Sequence, residues 1–99
     1  MRQALVVGAG QIGSLIAFLL ANTHDYQVYL ADLDPENSNI KRLPKLARLN
    51  VVPLDASKEA FICALIKKYK IDAVISSLPY YANIPVARAA KNQISIILI

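Results

Sequence analysis

Three glycines stand within six residues near the start of the chain, in the sequence GAGQIG at residues 8–13. The apolar run ALVV precedes them, and the helix-like segment SLIAFLLA follows. At a strand-to-helix turn, the spacing G-x-G-x-x-G is the fingerprint of a dinucleotide site. Gly8 would permit the tight turn, Gly10 would leave room for a pyrophosphate, and Gly13 would let the helix pack closely. Backbone N–H groups at the helix start would then face the phosphates.

An acidic residue ends the next apolar run and fits the same site. Asp32 follows QVYLA and lies about 20 residues beyond Gly13, the offset expected for the carboxylate that binds the adenosine ribose. This carboxylate would repel a 2′-phosphate, and the next residue is Leu33 rather than an arginine, so NAD is favoured over NADP. Lys41 and Arg42 keep NADP open as the second cofactor. The alternative role for Asp32 is a helix cap or a solvated loop acid.

Polar residues also follow the third and fourth apolar runs, in the stretches LDAS and SSLPYYAN. Asp55 is placed either to accept a hydrogen bond from the adenine amino group or to cap the next helix. Residues 76–78 are placed to line the pyrophosphate and the nicotinamide ribose, or they are simple turn residues. Tyr80 and Tyr81 could stack on the cofactor or close over it, or could pack against a neighbour.

Short β-rich apolar runs recur along the chain and alternate with helix-period segments; the runs are ALVVG, QVYLA, NVVPL, DAVIS and ISIILI. Apolar strands without a polar face are typical of a parallel sheet that is covered on both sides. We therefore predict an α/β fold: a doubly wound, Rossmann-like parallel sheet of five strands in the order 3-2-1-4-5, with helices on both faces. Pro53 supports this order, because proline is tolerated in an edge strand.

The first helix is predicted from about Gln11 to Asn22. Its predicted buried stripe consists of Ile12, Leu15, Ile16, Leu19 and Leu20. The second helix is expected to begin near Pro35, with Asp34 as its N-cap, and to be short or kinked because of Pro44.

The third helix is read from SKEAFICALIKKYK, with Ser57 as its cap. The residues expected to pack it onto the core are Phe61, Ala64, Leu65 and Ile66. Cys63 lies in this helix and is interpreted as a packed residue, since neither a second cysteine nor a partner histidine accompanies it. His24 is assigned to a solvated loop.

Composition restricts the classes of protein that fit. The 99 residues are 56% hydrophobic and 18% charged, which indicates one globular domain. One cysteine excludes an internal disulfide and favours a reducing, cytoplasmic setting. The largely apolar segment 4–21 is divided by the glycine turn, so we expect no membrane span. The net charge of +4 comes from scattered lysines and arginines, which argues against a nucleic-acid surface.

The fingerprint, DLDP, LDAS and VISSLPYYANIPVARAA together resemble the N-terminal cofactor-binding domain of the saccharopine dehydrogenase family. The resemblance covers essentially all 99 residues. It implies an NAD(P)-dependent oxidoreductase that forms or cleaves a secondary amine at an amino-acid carbon. By position, the resemblance implies cofactor contacts from Gly8, Gly10, Gln11, Ile12, Gly13, Asp32, Asp55, Ala56, Ser77, Leu78, Pro79 and Tyr80.

The same resemblance implies a second domain that binds the amino-acid substrate and supplies the acid–base groups, which these 99 residues do not include. We therefore assign no catalytic residue and no metal, and we expect dinucleotide binding without turnover. The apolar C-terminal strand is expected to associate with a second copy at its edge. Two alternatives stay open: a nucleotide-sensing regulatory domain of the potassium-channel or transporter type, and a free-standing redox-sensing domain.

Overall fold

Five strands form one parallel sheet in the computed structural model, which describes residues 1–91 and 95–98. In chain order, the strands are β1 (Arg2–Val7), β2 (Tyr26–Asp32), β3 (Leu49–Pro53), β4 (Ala73–Ser76) and β5 (Ser95–Leu98). Their spatial order is β3-β2-β1-β4-β5, and every neighbouring pair is parallel. The predicted fold class and strand order are therefore confirmed, and Pro53 lies in an edge strand. Ile94 and Ile99 of the predicted last strand lie outside the described residues.

Four helices connect the strands: α1 (Gln11–Asn22), α2 (Ser38–Lys41), α3 (Glu59–Tyr69) and α4 (Ile84–Ala90), with a 3-10 turn at Tyr80–Ala82 before α4. The first two pack against one face of the sheet, where Ala17 and Ile40 join Val6 in one buried cluster. The other two cover the opposite face, where Ile62 and Val86 join a second cluster. In the described part of the chain, no helix is long and apolar enough to cross a membrane.

Helix α1 has the predicted bounds but not the predicted buried face. Its buried residues are the small ones: Gly13, Ser14, Ala17 and Ala21. Ile16 and Leu20 are partly buried against the core, whereas Ile12, Leu15 and Leu19 are each more than half exposed. The reason is steric, because a Cβ at position 13 would lie 1.9 Å from the Gly8 carbonyl oxygen. The helix approaches the sheet so closely that only small side chains fit directly beneath it; Ile16 and Leu20 pack at its sides, and Ile12, Leu15 and Leu19 face away.

Helix α2 is short, as predicted, but it begins later than Pro35. Asn37 is its N-cap, and the Asn37 side chain accepts a hydrogen bond from the Ile40 N–H at 3.0 Å. Asp34 instead accepts from the Glu36 N–H at 3.1 Å, in a turn before the helix. Asp34 was therefore the wrong cap, because residues 34–36 form a tight turn before the chain becomes helical.

Helix α3 begins at Glu59, with Lys58 at the N-cap position and no side-chain cap. Ser57 was therefore the wrong cap, because its hydroxyl donates to the Asp55 carboxylate instead. The buried residues of this helix are Ile62 and Ile66, with Leu65 partly buried. The predicted packing residue Phe61 is 54% exposed, and Ala64 is also exposed.

Candidate functional site

The strand register brings the loops after four strands together at the carboxyl ends of the strands. Val7, at the end of β1, pairs with both Ala31 and Ser76, and Asp32 pairs with Pro53 at the end of β3. These loops surround a cleft of about 370 Å³. Of the residues predicted to bind a cofactor, the cleft is lined by Gly8, Asp32, Asp55, Ala56 and Leu78. Ligands of open α/β sheets bind in the crevice outside the carboxyl ends of the strands.

Each glycine of the fingerprint meets a different environment. Gly8 has a φ of +97°, in the region that side chains other than glycine rarely adopt. Gly13 lies under the turn, where a Cβ would collide with the Gly8 carbonyl oxygen and with Ser77 Oγ at 2.5 Å. In the part of the chain that the structure describes, a Cβ on Gly10 would have no atom within 4 Å. Gly8 and Gly13 are therefore required by the fold of the turn, whereas the fold places no steric demand on Gly10.

The start of α1 is open to solvent and suits an anion. Gly10 is the N-cap, no described side chain caps the helix, and its first turn contains no acidic residue. Gln11 and Ile12 are exposed, and Gly13 is buried. The first N–H groups of a helix have no acceptor inside it, and the helix dipole makes this end electropositive. This part of the turn can therefore bind a phosphate through the backbone.

Asp32 is held in a network at the edge of the cleft. Its Oδ1 accepts from the Ala9 N–H at 2.9 Å, which ties it to the glycine turn. Its Oδ2 accepts from the Asp34 N–H at 2.9 Å and from the Asn37 side-chain amide at 3.2 Å. A carboxylate offers about four lone-pair sites, so these three donors leave one acceptor site, on Oδ1. Asp32 is therefore available to accept one further hydrogen bond at the cleft.

Asp55 lies across the cleft and bonds to its own loop. Its Oδ1 accepts from the Ser57 hydroxyl at 2.6 Å and from the Ser57 N–H at 3.1 Å. These two hydrogen bonds, with a smaller contribution from the Lys58 charge, hold the pKa of the Asp55 carboxyl below its ordinary value of 3.8. The carboxylate is therefore ionised at neutral pH and can act as an acceptor. Ala56 lines the cleft beside it.

The two serines at the end of β4 support the turn and the next helix. The Ser77 hydroxyl donates to the Gly8 carbonyl at 2.8 Å, and the Ser77 N–H donates to the Val7 carbonyl at 3.0 Å. Ser76 is fully buried, and its hydroxyl donates to Asn83 Oδ1. These contacts fix the loop after β4 against the glycine turn.

The following loop closes the cleft on its other side. Leu78 and Tyr81 line the cleft, and Tyr81 is 71% exposed. Pro79 is exposed, and it accepts a hydrogen bond from the Ala82 N–H at 2.8 Å through its carbonyl. Tyr80 lies in the 3-10 turn, and its side chain lies outside the described part of the structure. An aromatic ring at the mouth of the cleft is therefore supplied by Tyr81.

Among the contributors to the site that sequence reasoning missed are Asn37 and Pro85. Asn37 binds Asp32 and caps α2, a role that the preference of asparagine for N-cap positions could have indicated. Pro85, at the start of α4, lines the cleft, and no sequence signal pointed to it. His24 is exposed and lies just after the C-terminal end of α1. It therefore lies near the amino ends of the strands, away from the cleft. In residues 1–91 and 95–98, no cluster of side chains could hold a metal ion.

Comparison with known proteins agrees with this geometry. Saccharopine dehydrogenase (L-Glu forming) from Saccharomyces cerevisiae has a TM-score of 0.81 and 21% identity over 99% of this chain and 21% of that one. The Bordetella bronchiseptica enzyme WbmH, solved with NAD⁺, has a TM-score of 0.74 and 25% identity over 92% of this chain and 36% of that one. The NAD complex of dTDP-glucose 4,6-dehydratase from Bacillus anthracis has a TM-score of 0.77 and 19% identity over 99% of this chain and 36% of that one.

This chain therefore spans less than two fifths of each of these proteins. No curated protein sequence matches it. Residues 4–94 match the family model of the saccharopine dehydrogenase NADP-binding domain, and the comparisons give no support to the channel-regulator alternative. With the strand order, the glycine turn and the cleft already in place, this match over nearly the whole chain shows that the protein is an NAD(P)-binding domain of the saccharopine dehydrogenase family.

Proposed function

We propose that this chain is the cofactor-binding part of an NAD(P)-dependent oxidoreductase that acts on an amino acid or a secondary amine. The space at Gly10 carries the proposal: a Cβ there would meet no described atom within 4 Å. An extended N-cap in open space, next to an uncapped helix start, is suited to the close approach of a pyrophosphate. Gly10, Gln11, Ile12 and Gly13 would bind it through the backbone.

NAD is the preferred cofactor in this proposal, although the name of the matched family specifies NADP. The remaining acceptor site of the Asp32 carboxylate suits a ribose hydroxyl, and its charge would repel a 2′-phosphate. Lys41 is paired with Glu36 at 3.8 Å on the surface. Neither Lys41 nor Arg42 lines the cleft. The described structure therefore gives a 2′-phosphate no cationic partner in the cleft.

The rest of the dinucleotide would lie along the strand ends. Asp55 and Ala56 would contact the adenine, and residues 77–80 would lie on the nicotinamide side. The Ser77 hydroxyl already donates to the glycine turn, so its role toward the cofactor would be to support the pyrophosphate loop. When bound, the nicotinamide would supply hydride transfer to or from the substrate carbon.

This chain is not expected to be catalytic alone. The described residues that line the cleft include carboxylates, hydroxyls and apolar groups but no histidine or lysine, so a group suited to proton transfer near neutral pH is missing. We propose that a second domain binds the substrate and supplies that group, and that the protein works in the cytoplasm. Ile97 on the edge strand β5 is 53% exposed, which supports association of two copies at that edge.

The test is a fluorescence titration of the purified chain with NADH and, separately, with NADPH. We expect NADH to bind more tightly than NADPH, and Asp32→Ala to weaken NADH binding by about 1–3 kcal/mol, the usual cost of an unpaired polar group. The affinity for NADPH should stay the same or rise, since the carboxylate would repel its 2′-phosphate. Equal affinities for the two cofactors would contradict the NAD preference, and no binding of either would contradict the proposed function.

A further inference from the structure

The Asn37 side chain links the start of α2 to the Asp32 carboxylate at the end of β2. Its Oδ1 accepts from the Ile40 N–H at 3.0 Å, and its Nδ2 donates to Asp32 Oδ2 at 3.2 Å. The orientation of the amide is determined by its partners: a backbone N–H requires an acceptor, and an ionised carboxylate requires a donor. Asn37 therefore cannot serve both partners with its amide reversed.

The bond from Asn37 determines which oxygen of Asp32 remains available. Among the described residues, Asp34 and Asn37 donate to Oδ2, whereas Oδ1 receives only the Ala9 N–H. Because Ala9 belongs to the glycine turn, Oδ1 is the oxygen beside the predicted pyrophosphate position. Rotation of the carboxylate away from the turn would break the Asn37 bond. The amide thus opposes the movement that would make space for a larger group at the ribose.

We infer that Asn37 is a positioning residue for cofactor choice: it holds the Asp32 carboxylate in the orientation that accepts a ribose hydroxyl and rejects a 2′-phosphate. The inference rests on the proposed function, since it concerns the same site and the same cofactor. It also gives α2 a part in specificity, because the four-residue helix Ser38–Lys41 holds the amide in place through the Ile40 N–H.

Asn37→Ser separates the two roles of the side chain. A serine hydroxyl can still cap α2, but it is too short to reach the Asp32 carboxylate. We expect NADH affinity to fall about three- to tenfold, as for loss of one hydrogen bond that orders a binding group. NADPH affinity should stay the same or rise, so the ratio of the two affinities should shift toward NADPH. The thermal unfolding midpoint should stay close to that of the wild type.

Asn39→Ser is the matched control, because Asn39 lies on the same helix and its amide takes no part in this network. It should leave both affinities unchanged. Asn37→Asp is the second variant: it keeps the cap acceptor but places a carboxylate beside Asp32, and it should also lose NADH affinity. Hydrogen exchange of the Ala9 amide, measured without cofactor, should become faster in both Asn37 variants and not in the control.

The outcomes separate this inference from the proposed function. If the wild type binds NADH and Asn37→Ser keeps both the wild-type affinity ratio and the slow exchange of the Ala9 amide, the positioning role is wrong and the proposed function stands. If the variant loses NADH and NADPH affinity equally, Asn37 supports the site without selecting the cofactor, which also overturns the inference. If the wild type binds neither cofactor, the proposed function fails, and the inference fails with it.

Discussion

Replacing Gly13 by alanine tests whether close contact between α1 and the glycine turn shapes this site. An added Cβ would lie 1.9 Å from the Gly8 carbonyl oxygen, whereas real Cβ contacts essentially never fall below 3.0 Å. The first turn of α1 or the loop at Gly8 must therefore move by about 1 Å or more. Overpacking of this kind costs about 1–3 kcal/mol. The hydrogen bond from Ser77 to Gly8 would also be strained, at up to about 1 kcal/mol.

Alanine favours a helix over glycine by about 1 kcal/mol, which offsets part of this cost. We therefore expect Gly13→Ala to lower the free energy of unfolding by about 2 kcal/mol and the melting temperature by about 10 °C. Urea denaturation followed by circular dichroism measures the first value, and a thermal scan measures the second. Gly10→Ala is the matched control, since its Cβ would meet none of the described residues within 4 Å. The control should be as stable as the wild type or slightly more stable.

Wild-type stability in Gly13→Ala would refute the steric argument, because it would show that α1 is free to move away from the turn. Equal destabilisation of both glycine variants would also refute it, since a Cβ at position 10 has no steric partner among residues 1–91 and 95–98.

Three further predictions concern the pKa of Asp55, the edge strand β5 and the absence of turnover by the isolated chain. Removing the Ser57 hydroxyl with Ser57→Ala should raise the pKa of Asp55 toward 3.8, as read from carboxyl carbon shifts by NMR, and an unchanged pKa would contradict the assigned cause. Because the native pKa is lowered, the contribution of Asp55 to stability is fully present above the unfolded value of 3.8 and is lost as the pH falls through the lower native pKa. Ile97→Lys should convert an associating chain to a monomer in light scattering, whereas a wild type that is monomeric at high concentration would refute the edge interface. The isolated chain should oxidise neither saccharopine nor lysine with NAD⁺ or NADP⁺, and measurable turnover would show that the active site is complete.

The sheet could be read from the sequence because each strand is an apolar run and a helix or turn signal separates it from the next. The same signals gave the bounds of α1 at Gln11 and Asn22. The buried face of α1 could not be read in this way, because hydrophobic periodicity favours the largest side chains. The contact between Gly13 and Gly8 requires small ones instead, and it depends on a tertiary distance that local sequence does not report.

In the candidate site, too, some features could be predicted from local sequence and others depend on tertiary contacts. Spacing predicted the tight turn that needs Gly8 and Gly13, and it predicted an acid near that turn, which Asp32 supplies. The hydrogen bond from Asn37 to Asp32 was missed. A turn that contains Asp34 and Pro35 separates the two residues, and the path of this turn determines whether they meet. Several residues at that turn are N-cap formers, and only the folded turn determines which of them caps the helix.

The central claim is that a dinucleotide binds with its pyrophosphate against Gly10. Isothermal titration calorimetry with NAD⁺, on the wild type and on Gly10→Val, tests it most directly. Gly10 has φ −74° and ψ −166°, which valine readily adopts, and the position is open, so the variant should keep its helical content by circular dichroism. We predict saturable binding by the wild type and none by Gly10→Val, because the branched side chain would occupy the pyrophosphate position. Binding by Gly10→Val with wild-type affinity would contradict the claim.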